Sequence, residues 1–123
     1  DLLCIDYTSA YSTPSLDKLV RTFVYDRQGK GSFTVGDEFT ANAPIRFETA
    51  ITTQANWKII DDTHLLLTTG TEQMTVTIEA SGKVAFTSET IEVNSPAYTR
   101  IGISLKEQSK DGYIRLTMRT KQL

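Results

Sequence analysis

Apolar and polar residues alternate with a period of two from Val20 to the C-terminal end of the chain. The clearest cases are the last two segments, RIGISLKEQ and YIRLTMRTK, in which apolar residues take every second place. Successive side chains of a β-strand point to opposite faces, so this pattern is typical of strands with one dry and one wet face. About eight such segments recur at roughly 8 to 12 residue spacings, which predicts an all-β fold.

Short antiparallel strands that follow one another at this spacing form a sandwich or a barrel. We favour a lipocalin-like barrel of about eight strands, because closure removes exposed sheet edges. Residues 12–20, STPSLDKLV, predict a short N-terminal helix with Thr13 as its cap and Pro14 in its first position. The 123 residues correspond to one domain over 1–123. We expect an N-terminal segment with the helix over 1–19 and the barrel over 20–122.

The segment NWKIIDDTHLLLTT, residues 56–69, contains the only tryptophan and the only histidine of the chain. A metal site requires several ligands that converge on one point. Asp61, Asp62 and His64 are neighbours in a predicted turn, where side chains splay apart, and aspartate is itself a common turn residue. We therefore predict a hairpin with a surface histidine. His64 remains the pH-sensing candidate, since histidine ordinarily titrates near ~6.5.

Motifs of the common catalytic classes are absent from the sequence. It contains no G-x-S-x-G, no glycine-rich phosphate loop and no H-E-x-x-H. Asp37 and Glu38 are consecutive on a strand, so they point to opposite faces and cannot act as an acid–base pair. The formal net charge is −2, without the basic stripe that nucleic-acid binding requires. We predict a protein that is not an enzyme, with no catalytic residues, metal, cofactor or direct nucleic-acid binding.

Cys4 is the only cysteine, so it forms no disulfide within the chain. It is either a small apolar residue of the interior or an intermolecular disulfide candidate. No apolar run approaches the roughly twenty residues that span a bilayer. The chain begins at Asp1 without a methionine. We expect that the natural N-terminus was removed and that DLLCIDY is the last part of a removed signal peptide or membrane anchor, two alternatives that the sequence leaves open.

The span from Phe23 to Thr69 contains an aromatic strand, the glycine turn YDRQGKGSF and the segment IRFETAITTQANWKIIDDTHLLLTT. It resembles the periplasmic domain of ToxS-type co-regulators, a group that includes VtrC and the PsaF/MyfF proteins. The resemblance extends over roughly residues 20 to 120, although the C-terminal half matches only in strand pattern. In these proteins a characteristic hairpin follows the glycine turn. Its places are filled here by Trp57, Ile59, Asp61, Leu65, Leu66 and Thr68.

The resemblance implies a lipocalin-like domain in the bacterial periplasm, anchored to the inner membrane by a segment absent here. Such a co-regulator forms a heterodimer with a membrane-bound transcriptional activator encoded beside it. It stabilises the activator and helps to sense an envelope signal, acid pH or an apolar small molecule, that controls virulence or adhesin genes. One sheet edge near a terminal strand would be left for the partner. Cys4 would lie near the membrane.

In the VtrC case the paired domains share an apolar chamber that takes a bile salt. The resemblance therefore implies an apolar small molecule as a second partner. A small barrel suits this role, because eight strands enclose space for side chains or one small ligand. The candidate chamber-lining residues are the inward aromatic and aliphatic side chains Phe33, Phe47, Trp57, Phe86, Ile103 and Met118.

Two other functions remain open at this stage. The first alternative is a free-standing lipocalin-like carrier of a small apolar molecule. The second is a structural or adhesive β-sandwich subunit, such as a pilus component or its chaperone. An uncleaved apolar N-terminal helix would favour the co-regulator, and a lipobox cysteine would favour the carrier, although DLLC lacks the small residue that usually precedes such a cysteine. A sheet with a missing strand would favour the subunit.

Overall fold

The computed structural model describes residues 2–6, 8, 15–29, 31–92 and 97–122. Ten β-strands form within these residues, and all of their pairings are antiparallel. They are β1 (Leu2–Asp6), β2 (Leu16–Asp26), β3 (Ser32–Ile45), β4 (Glu48–Thr53), β5 (Asn56–Asp61), β6 (His64–Thr69), β7 (Glu72–Ala80), β8 (Val84–Ile91), β9 (Tyr98–Leu105) and β10 (Ser109–Gln122). The larger sheet has seven strands in the order β1-β2-β3-β10-β7-β6-β5, and the smaller sheet has three in the order β4-β9-β8.

The hydrophobic core combines side chains from both sheets. The larger sheet contributes Phe39, Leu65 and Ile114, and the smaller sheet contributes Ile101 and Ile103, all at most 1% exposed. The strand register places the core residues of the larger sheet on one side, which we call the inner face. The molecule is therefore a two-layer sandwich in which each sheet buries its apolar face against the other.

The predicted all-β antiparallel fold is confirmed, and the predicted closed barrel is wrong. In the described residues β1 and β5 are the two edges of the larger sheet and do not pair with each other. Three strands that a single closed meander would have included instead pair among themselves as the smaller sheet. Alternation predicts which face of a strand is buried, but two facing sheets bury that face as well as a closed barrel does.

The prediction of an N-terminal helix is also wrong for those residues of the segment that the structure describes. Residues 16–20 are strand, because β2 begins at Leu16 and pairs with β3. Thr13 and Pro14, the expected cap and first turn, lie outside the described residues. Leu19 lies opposite Phe39 in the register, and both side chains are buried. This tertiary pairing overrides weak local helix signals, and the run of β-branched residues that follows favours strand.

The Asp111–Gly112 pair lies inside β10 instead of forming the hairpin turn that such a pair often marks. A Cβ at Gly112 would lie 3.1 Å from Phe39 Cε1, 3.3 Å from Leu105 Cδ1 and 2.6 Å from Ser81 Oγ. Phe39 is buried and cannot retreat, while Ser81 Oγ accepts a hydrogen bond from the Tyr113 N–H at 3.0 Å. Glycine is therefore required here for close contact between the two sheets.

Gly112→Ala should lower the free energy of unfolding by about 1–3 kcal/mol, the usual cost of overpacking a core. Gly82→Ala is the matched control, because no heavy atom lies within 4 Å of a Cβ built at Gly82. Urea denaturation of both variants measures the difference. Equal stabilities for the two variants would contradict the close packing at Gly112.

Candidate binding surface

The inner face of the larger sheet continues beyond the core as a partly exposed apolar surface on β1, β2 and β3. Opposite pairs in the register place its side chains on the same face as the buried residues Leu19 and Phe39. We call it the open apolar surface, and it consists of Leu3, Ile5, Phe23, Tyr25, Phe33 and Val35. Leu3 is 55% exposed and Tyr25 is 46% exposed, whereas Phe39 is 1% exposed. Contiguous exposed apolar side chains of this kind mark interaction sites.

Aromatic contacts order the centre of this surface. The Phe23 and Phe33 rings lie side by side, with centroids 6.1 Å apart and planes inclined by 34°. Such a tilted pair adds to the stability gained from burial alone. Phe33 also lies opposite Met118 on β10, so the open apolar surface continues directly towards the middle of the larger sheet.

Along β2 and β3, a bidentate ion pair lies between the open apolar surface and the core residues Leu19 and Phe39. Arg21 Nε donates to Asp37 Oδ1 at 2.6 Å, and Arg21 Nη2 donates to Asp37 Oδ2 at 2.8 Å. The Asp37 side chain is 3% exposed and the Arg21 side chain is 30% exposed. Asp37 and Glu38 point to opposite faces, as predicted, and the structure shows that Asp37 is buried and Glu38 is exposed. The pair satisfies both oxygens of a carboxylate that would otherwise be costly to bury.

The free edge of β1 borders the open apolar surface. In the described residues β1 pairs only with β2, and two of its side chains, Leu2 and Leu3, are large, apolar and exposed. The opposite edge, β5, is interrupted between Ile59 and Asp61 by a register shift and carries Lys58. Bulges and charged residues protect edges against further pairing. The apolar β1 edge has less such protection, since Asp6 is its one charged residue.

Cys4 lies in the middle of β1 and is exposed. It points to the outer face, opposite Thr22, whose hydroxyl lies 3.8 Å from the Cys4 Sγ atom. Two positions were expected for Cys4. The structure contradicts the first of them, a small apolar residue of the interior. An intermolecular disulfide remains a prediction.

A groove, which we call the apolar groove, lies between β4 of the smaller sheet and the larger sheet. Its volume is about 320 Å³. Its apolar lining is Ile51, Ala55, Leu67, Met74 and Met118, and its polar lining is Thr52, Thr53, Thr69, Glu72, Gln73 and Thr120. A small molecule would thus meet an apolar floor and a hydroxyl-rich rim.

The structure distributes the six predicted chamber residues over three places. Met118 lines the apolar groove, and Trp57 lies opposite the groove residue Leu67. Phe33 belongs to the open apolar surface. The remaining three, Phe47, Phe86 and Ile103, belong to the core region, where Phe47 stacks on Phe39 at 4.7 Å and Phe86 lies opposite Ile103.

The Asp61–His64 corner is a hairpin turn, as the sequence predicts. Asp61 Oδ1 accepts hydrogen bonds from the Thr63 N–H at 2.9 Å and from His64 Nδ1 at 2.8 Å. The Thr63 N–H first, and then the His64 ring, stabilise the ionised carboxylate and hold the pKa of Asp61 below its ordinary value of 3.8. A lowered carboxyl pKa contributes stability that is present above the ordinary value and lost only as pH falls through the folded-state value. Asp61 therefore remains a negative partner for His64 at mildly acidic pH.

If the expected co-regulator senses acid pH through His64, His64→Ala should abolish its response between about pH 5 and 7. The measurement is transcription driven by the expected activator at both ends of the range. Asp61→Asn is the companion variant, since it keeps an oxygen for the Thr63 N–H but removes the charge facing His64, and it should weaken the response. An acid response that persists unchanged in His64→Ala would eliminate His64 as the sensor.

Sequence reasoning did not identify Leu3, Ile5 and the Arg21–Asp37 pair as parts of one surface. The alternation predicted that Phe23 and Tyr25 share one face of a strand. It did not predict which residues of that face the second sheet leaves exposed. Within the described ranges, no three metal-ligating side chains cluster. The same ranges contain no helix that is long and apolar enough to cross a membrane.

Comparison of the chain with protein-family models and with curated proteins finds no match.

Proposed function

We propose that this chain is the periplasmic domain of a membrane-anchored co-regulator that binds and stabilises a membrane-bound transcriptional activator. The observation that carries the proposal is the open apolar surface beside the free β1 edge. A stable isolated domain gains nothing from leaving Leu3, Phe23 and Phe33 partly in water, whereas a binding domain gains the energy of burying them on association.

The geometry suits a partner that adds a strand. A strand paired with β1 would extend the larger sheet by main-chain hydrogen bonds. Its inward side chains would lie next to Leu3 and Ile5, since opposite residues of an antiparallel pair share a face. A partner segment beyond that strand would then cover the Phe23–Phe33 pair. The apolar contacts would supply the affinity. The alternation of apolar and polar side chains along the partner strand would fix its register.

Two exposed leucines on β1 provide a matched test of this binding mode. Leu3 is on the inner face and 55% exposed, and Leu2 is on the outer face and 72% exposed. Both tolerate aspartate without loss of a core contact. The domain is co-expressed with the periplasmic domain of the activator encoded beside it, and native mass spectrometry measures the complex.

The expected result is a 1:1 complex with the wild-type domain and with Leu2→Asp. Leu3→Asp should weaken the complex at least about tenfold, since a central apolar contact commonly contributes more than ~1.4 kcal/mol. Absence of any complex, or equal weakening by both variants, would contradict the proposal.

The apolar groove supports a second candidate, a free-standing carrier of a small apolar molecule. Its lining residues all belong to this chain, so a ligand would bind without a partner. A lone monomer that ignores the activator domain but retains small-molecule mass in native mass spectrometry would favour the carrier. In the co-regulator account the small molecule is the envelope signal, and it is retained by the complex.

A further inference from the structure

The apolar groove has the size of a small-molecule site. Its volume of about 320 Å³ lies at the lower end of the range that small-molecule pockets occupy, roughly 300–1,000 Å³. Leu67 on its floor is buried, and Met74 and Met118 are half-buried beside it. Methionine side chains adapt to ligands of different shape, because they are unbranched and polarisable.

The charge around the groove selects among possible ligands. Glu72 is the one charged residue among the described lining residues, and it is exposed at the start of β7. The other polar side chains that the register places on the groove side are those of Thr53, Thr69 and Thr120. Arg100 lies opposite the rim residue Thr52 in the register, and its guanidinium donates to Glu48 Oε2 at 2.9 Å.

We propose that the apolar groove binds a small amphiphile with an apolar tail and a cationic head, the tail against Leu67, Met74 and Met118 and the head beside Glu72. An anionic amphiphile of the same length meets the Glu72 carboxylate and is disfavoured by like-charge repulsion. This binding requires only the isolated chain. It therefore stands independently of the activator complex proposed above.

The single tryptophan gives the proposal a direct readout. Trp57 is half-buried and lies opposite Leu67, which forms part of the groove floor. A ligand tail that occupies the groove should change the environment of the Trp57 ring and therefore its fluorescence. Because Trp57 is the only tryptophan of the chain, the fluorescence signal reports this region alone.

The experiment compares decyltrimethylammonium with decyl sulfate by titration of tryptophan fluorescence below the self-association concentration of each probe. We expect saturable binding of the cation, at least about threefold tighter than that of the anion, the factor that one exposed charge interaction supplies. Glu72→Gln should remove most of this preference. Glu107→Gln, which makes the same charge change in the β9–β10 turn at the other end of the sandwich, should retain it.

Ala55→Phe is the blocking variant, because Ala55 is half-buried in the groove wall and a larger side chain fills the space. It should abolish binding of both probes while leaving the thermal unfolding transition in place. If Ala55→Phe unfolds, Thr53→Leu is the second blocking variant, two residues away in the same wall of the groove. Equal affinity for the two probes, binding that survives both blocking variants, or no saturable binding would overturn the proposal. Leu3→Asp should not change probe binding, so failure here and failure of the activator complex are distinguishable.

Discussion

Replacing Arg21 with methionine should lower the free energy of unfolding by about 3–5 kcal/mol, the cost of leaving a buried charge without its partner. Asp37, whose side chain is 3% exposed, would lose both guanidinium hydrogen bonds while remaining buried. Asp37→Ala should cost less, because the Arg21 side chain is 30% exposed and can turn its charge to water. The order of the two losses follows from the unequal burial of the partners.

Urea denaturation of both single variants and of the double variant Arg21→Met/Asp37→Leu measures these effects. The double variant should be more stable than Arg21→Met, since apolar residues of similar size often replace a buried ion pair at little cost. Glu38→Ala is the control, because Glu38 is exposed on the other face. A smaller loss for Arg21→Met than for Asp37→Ala would contradict the burial described here.

Phe39→Ala should also lower the free energy of unfolding by about 3–5 kcal/mol, the usual cost of removing a buried aromatic side chain. Phe39 is 1% exposed and stacks on Phe47 at a centroid distance of 4.7 Å. Phe33→Ala makes the same chemical change on the same strand and the same face, but on the open apolar surface. We expect it to cost less than half as much, because the side chain is already partly in water.

The comparison of Phe39→Ala with Phe33→Ala by urea denaturation tests whether the smaller sheet covers the inner face around Phe39 and leaves it open around Phe33. Equal losses would indicate that the surface around Phe33 is covered in the isolated domain. In that case the open apolar surface would not be free for a partner. The slope of the transition with urea also matters, because a changed slope would show an altered denatured or native state.

The alternation of apolar and polar residues predicted strands and their buried faces from Val20 onward, but it did not predict β1, which lies in the expected N-terminal segment. The segments containing Ile101, Ile103 and Ile114 are strands with these residues buried, and the Asp61 corner is a hairpin turn. These features depend on neighbours in sequence, so local patterns contain them. The helix prediction failed at Leu16 to Val20 because the competing structure there is a long-range pairing with β3.

The arrangement of strands in two sheets depends on contacts that local patterns do not contain. Gly112 shows this most clearly: Asp-Gly is a strong turn signal, yet the close approach of Phe39 and Leu105 places it inside a strand. The binding surface was less predictable still. Phe33 and Phe39 occupy equivalent places in the alternation, yet the structure leaves Phe33 half-buried and Phe39 buried.

Hydrogen exchange of the domain, alone and with the activator's periplasmic domain, tests most directly whether the β1 edge and the open apolar surface bind the partner. The account predicts that exchange slows within Leu2–Asp6 in the complex, because a partner strand would engage backbone groups of the free edge. Exchange in β7 and β8 should stay unchanged. Slowing confined to the smaller sheet or to the β5 edge, or a complex without any slowing in β1, would contradict the account.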